Sequence, residues 1–417
     1  MAPELVHPVP SDDVEGWSRQ LILALMGDIH GDEFTTDVER RRGFLDPDRT
    51  WGARERGQWV ATLATLARTI TVPGCGGDNV ELAADALTGV SVAATHRRRG
   101  LLRTMLTTSL QAAAERGDAL SMLVAAEWPI YGRFGYAPAV DGASYTFRPR
   151  RSGGVAAADP HSVRAVDLAE AATLAPVIFD AACRLRAGQV QRLPQWWTRP
   201  FGAAGAAPQP SARASWYVHE GPNGPDGMLC WRTTRDFDLT GPLAAIDVPQ
   251  FFAATPEAYR DLWGYLAGMD VVDEVNLGER AVDEQVRFLL ADARALETKT
   301  VFDHVWLRLL DVPAALSARA YGVEGSLVLD VVDTAEPGYG AGRYELVSDI
   351  SGARCTRTTA PADLRIDQRD LASVYLGGHR LHEVAIAGRV EELTPGALDR
   401  ASVMFATTLL PVNQTGF

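Results

Sequence analysis

Between Val90 and Arg103 an apolar, β-branched run gives way to an amphipathic helix through the basic turn Thr95-His96-Arg97-Arg98-Arg99-Gly100. A strand that hands over to a helix in this way points to an α/β domain built on a largely buried sheet. The first backbone N–H groups of such a helix have no partner inside it and lie at its positive end. A pyrophosphate fits there, and Gly100 lets a ligand come close to the main chain. Arg97, Arg98 and Arg103 can add charge-assisted hydrogen bonds. The residues alone leave a plainer reading open, a solvated basic turn between two elements.

The flanking pattern supports the α/β reading. Asp12 or Asp13 can cap a helix whose stripe is Trp17, Leu21, Ile22, Leu25 and Met26. Strands are predicted over Trp59–Val72, ending at Pro73-Gly74, over Leu87–Ala93 and over Ala119–Ala126. Helix Leu101–Glu115 carries Leu101, Leu102, Met105, Leu106, Leu110 and Ala113 on one side, with Gly117 as its stop. The basic, glycine-containing Arg148–Gly154 is a candidate boundary. Beyond it lie two loop-rich tracts, Gly202–Pro210 and Glu220–Gly227, and a helix over Ala258–Leu266 capped by Thr255 with Pro256 in its first turn. From about residue 300 we expect strands Val305–Leu310, Ser326–Val332 and Tyr344–Val347. Helices are expected after Asp311, after Asp370 and at Thr394-Pro395. Sections 1–150, 151–300 and 301–417 follow, since 417 residues exceed one ordinary core.

Charge narrows the partners. With 40 basic and 53 acidic side chains the formal net charge is -13, so the Arg97–Arg99 run suits a small anion better than a nucleic acid. An acidic surface would also attract polycationic small molecules. Cys75, Cys183, Cys230 and Cys355 are scattered with no CxxC pair, which speaks against a disulfide framework or zinc site. His379-x-x-His382 lacks a third ligand at suitable spacing, so no metal is expected. Met1–Pro10 has no signal-peptide pattern, and every apolar stretch is far below the roughly 18 residues of a membrane span. A soluble, cytoplasmic protein is the expectation. GxSxG, HExxH and Walker A patterns do not occur.

Arg97-x-x-Gly100-x-Leu102 resembles the R/Q-x-x-G-x-G/A signature of the Gcn5-related N-acetyltransferases (GNAT), departing from it at Leu102. A second block, Glu127-Trp128-Pro129-Ile130-Tyr131-Gly132-Arg133-Phe134-Gly135-Tyr136, follows a strand, as does the tyrosine-bearing helix of that superfamily. With Val305-Trp306-Leu307-Arg308, Asp311–Leu316, Val374–Arg380 and the terminal Phe417, the whole chain resembles the Eis (enhanced intracellular survival) family. The resemblance implies tandem GNAT-like domains with mixed sheets. Only the first carries the acetyl-CoA motif, and a C-terminal sterol-carrier-protein-like α/β domain follows. It further implies hexamers and acetyl transfer to primary amines of aminoglycoside-like polycations.

By that likeness Arg98–Arg103 grip the pyrophosphate, with Arg99, Leu101 and Leu102 in the same turn, while Ala126 and Glu127 line the cofactor at the next strand's end. Backbone N–H groups of Val90, Ser91 and Val92 are the expected oxyanion donors. Tyr131 is the expected general acid, with Tyr136 the competing ring. The carboxylate of Phe417, a chain terminus that ordinarily titrates at about 3.3 to 3.7, is the expected base. Asp28 and Met26 are candidate lining of the amine pocket, and Trp51 is either pocket wall or core. Two other functions stay open at this level: lysine acetylation on a protein or peptide, and a non-catalytic lipid- or ligand-binding module.

Overall fold

The computed structural model describes residues 3–201, 214–235 and 244–417. The tract Gly202–Pro210 therefore lies outside the described residues. A twelve-stranded mixed sheet runs from Glu4–Val6 at one edge through Thr50–Glu55, Gln58–Val72, Val80–Val92 and Leu120–Leu123 to Leu296–Leu309. It continues through Ala137–Phe147, Val272–Arg280, Ala244–Ala253, Gly224–Arg235 and Ser215–Gly221 to Val163–Val166. A separate five-stranded sheet holds Gly352–Arg357, Gly342–Asp349, Gly325–Val332, Leu364–Asp367 and Val390–Glu392 in that order.

Strand Leu296–Leu309 joins the halves of the large sheet. It pairs antiparallel with Leu120–Leu123 on one side and Ala137–Phe147 on the other. A boundary at residue 300 would cut this strand, so the five-stranded unit begins after it. The strand starts nine residues before the predicted Val305, because Glu297–Thr300 are polar and exposed and carry no apolar signal.

Helix Leu101–Glu115 forms within the predicted bounds. Gly100 and Gly117, at φ 82° and 83°, punctuate its ends. Met105, Leu106, Leu110 and Ala113 pack on one sheet face with Leu63, Leu87, Leu123 and Trp306. The opposite face, through Leu66, Ile70, Ala84 and Ala86, packs against Leu316, Leu327, Leu371 and Tyr375 of the five-stranded unit. Helix Pro256–Ala267 is capped as expected, the Thr255 side chain accepting from the Ala258 N–H.

Several local expectations are corrected. The first helix spans Val14–Ala24, and neither Asp12 nor Asp13 caps it with its side chain; Asp13 instead pairs with Arg54 at 2.5 Å. Its stripe stops at Leu21, for Leu25 is 61% and Met26 94% exposed. Strand Val80–Val92 starts seven residues before Leu87, while Leu120–Leu123 is shorter than the predicted Ala119–Ala126. Glu220–Gly227 is a β-hairpin turn, its ends paired at Gly221 and Gly224 around Pro222-Asn223. The helix near Asp370 begins at Gln368 under an Asp367 cap, and the last helix begins at Ala397 rather than Thr394. Helices Gly31–Phe44 and Leu168–Cys183 carry no sequence prediction.

Candidate active site

The parallel strands Val80–Val92 and Leu120–Leu123 pair at only three positions, Ala84–Ala86 with Leu120–Met122. Past them the strands part. Opposite Leu63 the first strand carries two residues, Gly89 and Val90, since Thr62 pairs with Ser91 and Ala64 with Thr88. Such a bulge bends the strand and takes a residue out of the ladder. Gly89 stands at φ 60°, and a Cβ there would come within 2.7 Å of the Trp17 ring. Glycine is therefore required.

A cavity of about 280 Å³ opens where the strands part. Leu87–Val90 wall it on one side, Leu123, Val124 and Ala126 on the other, and it brings Tyr131 and Phe417 together. Larger cavities of about 610 and 410 Å³ lie elsewhere and contain none of the sequence-predicted site residues. Among the described residues no cluster of three or more His, Cys, Asp or Glu could hold a metal ion, and no helix is long and apolar enough to cross a membrane. His379 instead bonds Ser373 at 2.6 Å and Asp141 at 3.0 Å.

At the turn, Arg98 (φ 62°) and Gly100 (φ 82°) both take left-handed conformations. A Cβ built on Gly100 meets nothing within 4 Å, so the space before the helix is open. No side chain caps this helix and no acidic residue occupies its first turn. Its first amides and positive end have no side-chain partner among the described residues. Arg97, Arg98 and Arg103 are exposed and make no ion pair or hydrogen bond among the described residues. Arg99 differs. It donates to the Thr95 carbonyl at 3.2 Å and stands 3.7 Å from Glu55, which also holds His96 at 3.0 Å. The hydrogen bond from His96 comes first among the causes that keep the Glu55 carboxyl below the ordinary range. Glu55 thus anchors the turn, a role the sequence does not signal. Leu101 and Leu102 turn their side chains to the core, leaving only their main chain for a ligand.

Tyr131 is buried, yet its hydroxyl makes no hydrogen bond among the described residues. Burial, then the nearby Glu127 charge, pushes it up to about 12. Tyr136, edge-on to Tyr131 with centroids 6.3 Å apart, is committed to the core. Its hydroxyl bonds Ser121 at 2.6 Å, and burial raises it further. The loop bearing both rings is fixed by the fully buried Arg308, which donates to the Phe134 and Pro337 carbonyls. Ala126 lines the cavity, whereas Glu127 is exposed and does not. Ser91 is buried with its hydroxyl 2.7 Å from Thr62, and Val92 packs on the helix side of the sheet.

The chain end is held over its last residues. Val412 N–H donates to Ala187 O at 2.9 Å, and the Asn413 side chain bonds Val190 N and both main-chain groups of Thr415. Arg192 is the centre of the clamp. Its guanidinium donates to Gln414 O at 2.5 Å, Thr415 Oγ1 at 3.2 Å and Gln250 Oε1 at 2.8 Å. It lies 3.8 Å over both the Phe179 and Trp196 rings, and burial lowers it to about 9. Trp196 Nε1 donates to Gly416 O at 3.3 Å, delivering Phe417 to the cavity.

The three substrate candidates do not line this cavity. Trp51 is fully buried core, stacked on His7 at 4.4 Å, because its side chain joins the cluster under helix Leu101–Glu115. Met26 projects from the helix end at φ 59°, and Asp28 turns back to accept the His30 N–H at 2.8 Å. Leu21 and Leu25 line the cavity from that helix instead, with Arg40, Arg41 and Phe44 from the next and Arg68 from the strand.

Residues 6–139 match an acetyltransferase (GNAT) domain family, residues 188–309 a second acetyltransferase (GNAT) domain family, and residues 312–412 a sterol carrier protein domain family. An uncharacterized N-acetyltransferase of Streptomyces griseus is 38% identical over 411 residues, 96% of each chain. N-acetyltransferase Eis of Mycobacterium tuberculosis is 34% identical over 376 residues, 88% of this chain and 87% of its own. The crystal structure of Eis1 from Mycobacterium abscessus superposes with a TM-score of 0.84 at 31% identity, covering 100% of both chains.

Proposed function

The chain belongs to the Eis family of GNAT N-acetyltransferases, and on that premise we propose that it moves the acetyl group of acetyl-CoA to a primary amine of a small molecule. The observation that carries this reading is the cavity between the parted strands, where Tyr131 and Phe417 meet. Acetyl-CoA fits the residues present: the open, uncapped start of helix Leu101–Glu115 and the unpaired Arg97, Arg98 and Arg103 suit its diphosphate. When bound, it supplies the acetyl group as a thioester. The transfer forms a C–N bond at the acceptor, breaks the C–S bond and releases one ammonium proton per turnover.

The Val90 N–H, in the bulge, is the proposed donor to the oxygen on which negative charge grows. Tyr131 keeps its proton at neutral pH. Against a thiol of ordinary pKa about 8.5, full transfer from a hydroxyl held at about 12 is uphill. The hydroxyl therefore acts first as a hydrogen-bond donor to the charge building on sulfur. The Phe417 carboxylate receives the acceptor's N–H and turns its lone pair toward the reacting carbon. Arg192 is a positioning residue, since it touches only the tail and its neighbours.

A cytoplasmic, hexameric protein remains part of the proposal through the family, and sedimentation velocity reads the hexamer. The polycationic, aminoglycoside-like acceptor likewise comes from the family alone; among the described residues the cavity wall presents Arg40, Arg41 and Arg68. Thiol release from acetyl-CoA with a panel of amines tests the reading on protein ending at Phe417. Three residues appended after Phe417 should cut turnover about 100-fold while leaving acetyl-CoA affinity within about twofold. Unchanged turnover would remove the carboxylate from the mechanism, and absence of release with any amine would sink the enzyme assignment.

A further inference from the structure

We propose that the five-stranded unit sets the Tyr131 hydroxyl in place, and that Asp333 and Tyr339 are positioning residues that act on it through Arg308. This rests on the reading of Tyr131 as the donor to sulfur given above. Tyr131 closes the short helix Trp128–Tyr131, and a tight turn, Gly132–Phe134, follows. Gly135 N–H and Tyr136 N–H donate back to the Gly132 and Tyr131 carbonyls at 3.1 and 3.3 Å. The Tyr131 hydroxyl has no hydrogen bond of its own among the described residues, so packing and this turn alone aim it.

The turn rests on Arg308, which donates to the Phe134 carbonyl. A Cβ built on Gly135 would come within 3.1 Å of the Arg308 Cζ and Nε and 3.2 Å of Gln368 Oε1. Arg308 is fully buried, where a charge is costly unless paired. Its one ion-pair partner among the described residues is Asp333, 3.7 Å away, and the second carbonyl it bonds is that of Pro337. Asp333 also shapes its own loop, accepting from Ala335 N–H at 3.1 Å and Gly340 N–H at 2.9 Å. In that loop the Tyr339 ring centre stands 5.4 Å from Arg308 Cζ, and the ring packs into the cluster that holds Tyr131 and Phe134. Asp333, Pro337 and Tyr339 belong to the five-stranded unit, between its strands Gly325–Val332 and Gly342–Asp349, whereas Tyr131 belongs to the first half of the large sheet. Without the Asp333 charge, Arg308 is left buried with no counter-ion. Its head group then turns from Phe134 toward water, and Tyr131 loses its backing. A misplacement of about 1 Å is enough to cost about 100-fold in rate. The diphosphate turn is spared. Burial, opposed by the Arg308 charge and aided by that of Glu115, raises the Tyr339 hydroxyl. The loop therefore lies toward the Glu115 end of the helix, about 21 Å along its axis from Leu101.

The test separates action through Tyr131 from loss of stability. Full-length protein is followed by thiol release from acetyl-CoA with kanamycin as the acceptor. Asp333→Ala and Tyr339→Ala should each lower kcat about 10- to 100-fold, with acetyl-CoA affinity by calorimetry within about twofold. Tyr339→Phe, which keeps the ring beside Arg308, should recover most of the loss. Placed on Tyr131→Phe, either alanine change should lower kcat no more than about twofold further, since the hydroxyl it misplaces is already gone. A loss that multiplies in full on Tyr131→Phe overturns the inference and leaves the acetyltransferase reading standing. So does a kcat that neither alanine change alters. Should Asp333→Ala fail to fold, the Tyr339→Ala and Tyr339→Phe pair decides alone. Tyr131→Phe without loss removes the donor and the inference with it, and absence of turnover with kanamycin and every other amine of the panel sinks the enzyme reading as well.

Discussion

The two halves of the large sheet follow one strand–helix–strand path and finish it differently. In the first, Val80–Val92 feeds helix Leu101–Glu115 and returns as the parallel Leu120–Leu123; in the second, Ala244–Ala253 feeds Pro256–Ala267 and returns as the parallel Val272–Arg280. Each outgoing strand has two residues facing one, Gly89–Val90 opposite Leu63 and Val248–Pro249 opposite Trp231. Register makes Pro249 the counterpart of Val90, and proline has no N–H to give. At the second helix start, Thr255 Oγ1 accepts from Ala258 N at 3.1 Å and donates to Asp226 at 2.8 Å. Gly100 offers no such filling. A cavity of about 410 Å³ does lie beside Phe251, Thr255 and Pro256, but the Phe251 carbonyl is already occupied, accepting from Arg280 at 2.9 Å and Gln414 at 3.0 Å. Shared topology alone does not reproduce the open helix start of the first half, and we propose that this opening is what a ligand site needs.

That contrast can be broken on purpose. The largest effect is expected from Tyr131→Phe, about 10³-fold in kcat, against a Tyr136→Phe change that costs about 1 kcal/mol of stability through its Ser121 bond. The reverse order in steady-state kinetics would mean Tyr136 is the working ring. Because Tyr131 titrates only near about 12, its donor form persists and turnover should show no falling limb near pH 10. A limb there, in a pH–rate profile, contradicts a buried tyrosine donor. Val90→Pro copies the second half's bulge into the first. It should lower kcat about 100-fold, the worth of one oxyanion donor, with acetyl-CoA affinity intact by calorimetry. Arg98→Gln with Arg103→Gln should weaken acetyl-CoA binding by about 10- to 100-fold while kcat at saturation stays near the original. The smallest effect belongs to Thr255→Ala, about 1 kcal/mol of unfolding free energy and no change in acetyl-CoA affinity.

The first half was legible where its signals are local. Gly100 and Gly117 frame an apolar stripe, so helix Leu101–Glu115 is read directly; in the second half only the equally local Thr255 cap is read so. Helix Gly31–Phe44 was not, because it buries only Phe34 and Val38 among charged residues. Register and insertion are not local either. Nothing near Leu296 tells that its strand will enter between Leu120–Leu123 and Ala137–Phe147. Arg192 has the same difficulty: its hydrogen-bond partners in the tail lie more than 200 residues away, and its neighbourhood reads as loop. The bulge at Gly89–Val90 comes from pairing across strands, which a single strand's pattern does not reveal. Met26, Asp28 and Trp51 do not line the cavity, and Trp51 takes the core alternative of its two readings. Sequence spacing places Met26 and Asp28 just past the first helix and Trp51 on a strand but does not say which way each side chain turns.

Titrating acetyl-CoA into the chain ending at Phe417 by calorimetry tests the central claim, that only the half with the open helix start takes the diphosphate. The account predicts one site per chain, weakened by the Arg98→Gln, Arg103→Gln double change and untouched by Thr255→Ala. Two sites per chain, or a single site indifferent to the arginines and sensitive to Thr255, would contradict it.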